Sequence, residues 1–152
     1  RHTYLLDNDD LNELNETFLA LTKNESMLLQ EFQHNIKTKG EITLMVFGGK
    51  YSHAVLKKVK PGDFRVQDDF GGTVHLYVPT KEEIAFAESV VAVCDPLPLQ
   101  ARVDFIWDNN EQLCVSELEL IEPELWFRND NNAASMLADV IDKACFIPNV
   151  PS

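Results

Sequence analysis

Two pairs of β-rich runs, each joined by a turn of only a few residues, decide what this chain can fold into. Glu41 to Phe47 and Tyr51 to Val59 flank Gly48-Gly49-Lys50, while Ala101 to Trp107 and Leu113 to Ile121 flank a turn at Asp108-Asn109-Asn110. Strands joined this tightly pair antiparallel, because a parallel pair needs a crossover of a dozen or more residues. Thr73 to Val78 alternates and ends at Pro79, adding a strand, and Met27 to Phe32 reads as a short, mostly buried one. Between them, His34 to Gly40, the turn Lys60-Pro61-Gly62-Asp63 and the stretch Asp68 to Gly72 read as connections, with Phe64 to Gln67 extended.

Three segments carry a helical period. Asp7 to Asp10 offers capping side chains ahead of Leu11, Leu14, Phe18 and Leu19, a pattern that runs to about Lys23. Thr80 with Glu83 three positions later is a capping box, followed by an apolar face of Ile84, Ala87, Val90, Val91 and Cys94 that Pro96 and Pro98 stop. A last helix starts near Asn132 or Ala133 and buries Met136, Leu137, Val140 and Ile141. Helices interspersed with hairpin-connected strands predict an α+β fold, a mostly antiparallel sheet with flanking helices, and 152 residues fit a single domain.

Charge narrows the partners. Thirteen Lys and Arg stand against 25 Asp and Glu, a net −12 with a pI near 4.6, which disfavours nucleic acid and anionic membrane as ligands. No apolar run approaches the roughly 20 residues that a bilayer crossing needs. Lys50, Lys57, Lys58, Lys60 and Arg65 form a basic island. It suits a small anion or a phosphorylated ligand, or else is the solvated surface of a hairpin. Cys94, Cys114 and Cys145 have neither CxxC nor zinc spacing and read as reduced thiols of a cytoplasmic protein. Nothing local marks any of them as the partner of His34, His53 or His75 in a nucleophilic pair, and His53 and His75 carry no assigned role.

The candidate chemistry lies on the second hairpin. Alternation puts Arg102 and Asp104 on one face of their strand, and Glu117 and Glu119 on one face of the next. Counting back from a tight turn sets Asp104 level with Leu113 to Val115. If the faces agree, three carboxylates gather beside one guanidinium. Their mutual repulsion is relieved by a divalent ion, and an all-oxygen donor set suits Mg²⁺ or Mn²⁺. The alternative is an exposed edge strand whose glutamates pair across to Arg102.

Ala101-Arg102-Val103-Asp104 followed by Ser116-Glu117-Leu118-Glu119-Leu120-Ile121-Glu122-Pro123 resembles the C-terminal metal site of the ATP-grasp carboxylate–amine ligases. Gln30-Glu31-Phe32-Gln33 is similar to the adenine-clasping segment of that superfamily, and Gly40-Glu41-Ile42 to its ribose-holding position. The following hairpin, through Tyr51 to Lys58, and the loop with Gly62-Asp63-Phe64-Arg65 and Gly71-Gly72 keep the family's order. The resemblance implies that Asp104, Glu117 and Glu119 bind Mg²⁺ (or Mn²⁺) and that Arg102 stabilises an acyl-phosphate. It also implies that Gln30, Glu31, Phe32, Gln33 and Glu41 hold the nucleoside of ATP, while Lys57 and Arg65 meet phosphate or substrate carboxylate. Glu119 stands where the family more often has Asn. The implied partners are ATP and small carboxylate and amine substrates, with a homo-oligomer allowed.

Residues 1–152 then correspond to the C-terminal portion of a longer ligase, expected to be inactive alone, since the family's two phosphate-binding lysines come from an earlier subdomain. A non-catalytic nucleotide- or protein-binding module on the same fold is the second reading, and phosphoryl transfer to another acceptor a third.

Overall fold

A computed structural model of the chain describes residues 11–60 and 72–145. The chain divides into two compact units, Arg1–Gln33 and His34–Ser152. In the first, helix α1 spans Leu11–Thr22, as its apolar period predicts. Met27 to Phe32, expected as a strand, has no regular secondary structure. Leu28 is 101% exposed and Leu29 75%, so this apolar run is not the buried strand expected.

In the second unit a short helix, α2 (Ile36–Lys39), replaces the loop expected over His34 to Gly40 and leads into five strands. These are β1 (Glu41–Phe47), β2 (Lys50–Lys58), β3 (Thr73–Tyr77), β4 (Gln100–Trp107) and β5 (Leu113–Glu119), with helix α3 (Lys81–Ala92) between β3 and β4 and helix α4 (Ala133–Cys145) at the end. The sheet order is β3-β2-β1-β4-β5 and every neighbouring pair is antiparallel. This is the α+β architecture that the hairpin spacing requires.

Local chemistry sets the elements. Phe47 pairs with Lys50 across Gly48 and Gly49, both at positive φ (55° and 79°), the backbone that a two-residue hairpin turn demands. Thr80 Oγ1 accepts the Glu83 N–H and the Glu83 carboxylate accepts the Thr80 N–H, closing the predicted capping box of α3. The Tyr77 hydroxyl also donates to the Glu83 carboxylate, and burial, then the Glu83 charge, push its pKa up to about 12.

Alternation then sorts the sheet into two faces. Ile42, Leu44, Val46, Ala54, Ala101, Val103 and Phe105 pack with Ala87 and Val91 of α3. Met45, Phe47 and Val55 point the other way, into a second cluster with Leu125, Trp126, Ala133 and the half-buried Met136, Leu137 and Val140 of α4. Ile141, expected in that core, is 43% exposed.

Gly40 lies close against the backbone of β2. It has φ 79°, and a Cβ there would lie 2.4 Å from the Lys57 carbonyl oxygen. Gly40→Ala is expected to cost about 2 kcal/mol or more, through positive-φ strain and displacement of β2. Chemical denaturation checks this, and an unchanged midpoint would contradict the close approach.

Candidate functional site

The face opposite α3 carries a row of charge across four neighbouring strands. Lys57 comes from β2, Glu41 from β1, Arg102 and Asp104 from β4, and Glu117 and Glu119 from β5. Register makes the row: Glu41 pairs with Lys57, Asp104 with Glu117 and Arg102 with Glu119. The sequence count had set Asp104 level with Leu113 to Val115. In fact Trp107 pairs with Leu113 across a five-residue loop, and the register then slips between Asp104 and Phe105, so that Ser116 is an extra residue on β5. The Asp108 carboxylate builds that loop by accepting the N–H groups of Asn110 and Gln112, both at 2.8 Å.

The bulge has a chemical effect. It lets Leu113 and Leu118, an odd interval apart, both pack on the α3 side. Ser116 turns to the charged side, where its hydroxyl donates to Glu41 Oε1 at 2.6 Å. Strand β5 ends at Glu119, and Ile121, read as its last residue, is 86% exposed.

Asp104 is the buried centre, 0% exposed. Its carboxylate accepts from Lys57 Nζ at 2.9 Å and from the Arg102 guanidinium at 2.8 Å. Lys57 also donates to Glu41 Oε2 at 3.0 Å, and the same Arg102 nitrogen reaches Glu119 at 2.5 Å and Glu117 at 3.2 Å. Burial works against the charge on Arg102, but hydrogen bonding and attraction from Asp104, then from Glu119 and Glu117, outweigh it and hold its pKa above the ordinary value. Glu117 is pushed up by desolvation and by its acidic neighbours Glu119 and Asp104, against the pull of Arg102 and Lys57.

Among the described residues no three His, Cys, Asp or Glu side chains have the arrangement that holds a metal ion, and the Arg102 guanidinium sits among the oxygens of Asp104, Glu117 and Glu119. The composition of the row still fits a hard divalent cation. Its donors are all carboxylate oxygens, and four carboxylates face two cations, an excess of two negative charges. Asp104, Glu117 and Glu119 could hold such an ion if the guanidinium withdrew. The alternative geometry from sequence is also visible: β5 is an edge strand and Arg102 pairs across it.

The other expected site residues are distributed differently. Gln30, Glu31, Phe32 and Gln33 belong to the first unit, where the Gln33 side-chain amide donates to the Glu31 carbonyl at 3.3 Å. Arg65 and the stretch around it lie outside the described residues. The basic island does not act as one surface: Lys57 enters the charged row, whereas Lys50 pairs with Glu88 of α3 and Lys58 is exposed.

Sequence reasoning missed three participants. Ser116 joins only through the bulge. Thr43, opposite Asp104 in β1, has a buried hydroxyl with no hydrogen-bond partner among the described residues. Trp126 lies over Lys57 and Arg102, and no local motif announces it. His53, left without a role, bonds through Nε2 to the Leu125 carbonyl at 2.8 Å and so holds the segment that carries Trp126.

No family model matches the sequence, and no curated protein matches it. Solved structures do. The crystal structure of D-cycloserine synthetase DcsG is similar with a TM-score of 0.65 and 24% identity over 76% of this chain and 41% of that one. D-alanine–D-alanine ligase from Bacillus anthracis, complexed with ATP, is similar with a TM-score of 0.52 and 18% identity over 88% of this chain and 46% of that one. The likeness is one of fold, and this chain has part of the ATP-grasp fold. The chain spans less than half the length of either ligase.

Because the Glu117 pKa is raised, its charge opposes folding. That penalty is complete above the raised pKa and absent once the pH falls below the ordinary carboxylate value. Glu117→Gln is therefore expected to raise the melting temperature slightly at pH 7 and to leave it unchanged near pH 3. A variant less stable than wild type at pH 7 would show that the Arg102 contact dominates instead.

Proposed function

We propose that this chain is the nucleotide- and metal-binding part of an ATP-grasp carboxylate–amine ligase that acts through an acyl-phosphate. The observation that carries the reading is the convergence of Lys57, Glu41, Arg102, Asp104, Glu117 and Glu119 in one row, on a fold shared with two ligases, one of them solved with ATP. In this reading Asp104, Glu117 and Glu119 hold Mg²⁺ (or Mn²⁺), which when bound neutralises the charge of the nucleotide phosphates. Arg102 binds the phosphoryl oxygens as charge moves onto them, a task for a fixed guanidinium fork that needs no covalent nucleophile. Lys57, already desolvated between Glu41 and Asp104, orients a phosphate or the substrate carboxylate. Glu41, braced by Ser116, is the ribose contact. Gln30, Glu31, Phe32 and Gln33 hold adenine, and Arg65 meets an anionic group.

The substrate carboxylate attacks the γ-phosphorus of ATP and ADP leaves. The amine partner then attacks the acyl carbon, phosphate departs with the bonding electrons, and the amine's proton passes to the departing phosphate or to water. The reactants are small carboxylates and amines, and the chemistry depends on placement more than on any single group. The free state of Cys94, Cys114 and Cys145 is compatible with the cytoplasm as the place of action. Among the described residues no helix is long and apolar enough to cross a membrane.

The three-way clasp of Arg102 favours the second reading, a binding module in which the row is a structural ion network. Calorimetric titration of the protein carrying this chain with ATP, with and without Mg²⁺, separates the two. The ligase reading expects Mg²⁺-dependent binding that Glu117→Gln weakens by at least about tenfold, since even residues behind a metal ligand cost that much. Affinity indifferent to both Mg²⁺ and the substitution would leave the binding module standing.

A further inference from the structure

The charged row explains six side chains but not the indole that lies over two of them. Trp126 is 5% exposed, and its ring centroid lies 5.5 Å from Lys57 Nζ and 5.6 Å from Arg102 Cζ. Its backbone is left-handed, with φ 44° and ψ 39°, a conformation that bulky residues rarely adopt. Such strain persists only where the surroundings fix it, and here they do. The Trp126 N–H donates to Glu124 Oε1 at 3.0 Å, the same oxygen accepts from Arg128 at 3.0 Å, and the preceding carbonyl, of Leu125, is held by His53.

The indole N–H points to what aims the ring. It is buried and has no acceptor among the described residues, whereas a buried Trp N–H usually finds one. No hydrogen bond therefore sets the ring's orientation. Apolar neighbours and the two cations do, and the negative face of the ring is what a desolvated ammonium or guanidinium seeks. The two cations are already drawn together on the Asp104 carboxylate, and the ring adds a second contact that they share.

We propose that Trp126 is a positioning residue of the charged site, its ring holding Lys57 Nζ and the Arg102 guanidinium in place along the carboxylate row so that both are set before an anionic ligand arrives. The inference rests on the preceding reading only for the ligand, a polyphosphate with a divalent ion. The placement of the cations is testable without it.

The full 152-residue chain is labelled with ¹⁵N and the Arg102 Nε–H resonance is followed in wild type, Trp126→Phe and Trp126→Met. The ring current is expected to move that resonance upfield of the other arginines in wild type and in Trp126→Phe, and Trp126→Met abolishes the shift while the backbone amide spectrum stays folded. Mg²⁺–ATP affinity by calorimetry follows the same pattern, kept within about twofold by Phe and weakened about fivefold by Met. An Arg102 resonance that lies with the other arginines in wild type overturns the proposal, as does a Met variant that loses the shift but keeps its affinity. If Trp126→Met does not fold, the wild-type and Trp126→Phe spectra still decide. If wild type shows the shift but binds no Mg²⁺–ATP, the nucleotide reading fails and the placement of the cations by Trp126 stands.

Discussion

A fully buried carboxylate between two cations organises this molecule. Asp104 has no access to solvent, and both its charged partners are themselves nearly enclosed. Removing either partner would leave the row short of a counter-charge inside the sheet, at a cost of up to about 3–5 kcal/mol. Yet an ion pair taken out of water contributes little more to stability than apolar residues of the same shape would. The centre of this face is therefore expensive to build and poor as a stabiliser, in contrast to the opposite face, where Leu44, Val103 and Phe105 pack conventionally against α3. The charged row shares its face with Met45, Phe47 and Val55, which pack into the second apolar cluster, and that interruption of an otherwise apolar face is the strongest physical reason to regard it as a site.

Much of this was legible in the chain, for reasons that are local. Two-residue turn chemistry at Gly48-Gly49 and the Thr80–Glu83 box fix their elements within a few neighbours, and period-two alternation put Arg102 with Asp104 and Glu117 with Glu119 on common faces. The failures have a shared cause, dependence on something distant in sequence. The run Met27 to Phe32 has the composition of a strand, but composition cannot supply a partner. The bulge at Ser116 shifts the register without any glycine or proline to mark it. Trp126 follows Pro123 in an unremarkable segment and reaches the row only because His53 and Glu124 hold its backbone.

The row is also more than the motif that led to it. The resemblance implied separate duties for Lys57, Arg102 and the three acids. The structure has them sharing one another's charges: Arg102 alone touches Asp104, Glu117 and Glu119, and Lys57 bridges Glu41 to Asp104. Groups coupled this closely do not have independent energies, so the effect of altering one depends on which others remain. A cation lost from the row removes a partner from several acids at once, and an acid lost changes where the cations rest.

That coupling bears on how such a face could work. With two cations among four carboxylates, the acids are incompletely neutralised, and Arg102 is spread over three of them. On the ligase reading, Asp104, Glu117 and Glu119 would hold a divalent ion, whose charge would balance the row, through oxygens that Arg102 now engages. Arg102 would then have fewer internal partners and would be available to an incoming phosphoryl group. The same carboxylates that hold the arginine in the resting chain would release it on loading, so the readiness of the site would follow from charge balance. Trp126 sets the limit on that movement. A guanidinium lying over a buried ring can exchange one set of oxygens for another without leaving the face, which keeps it within reach of the chemistry it is proposed to serve.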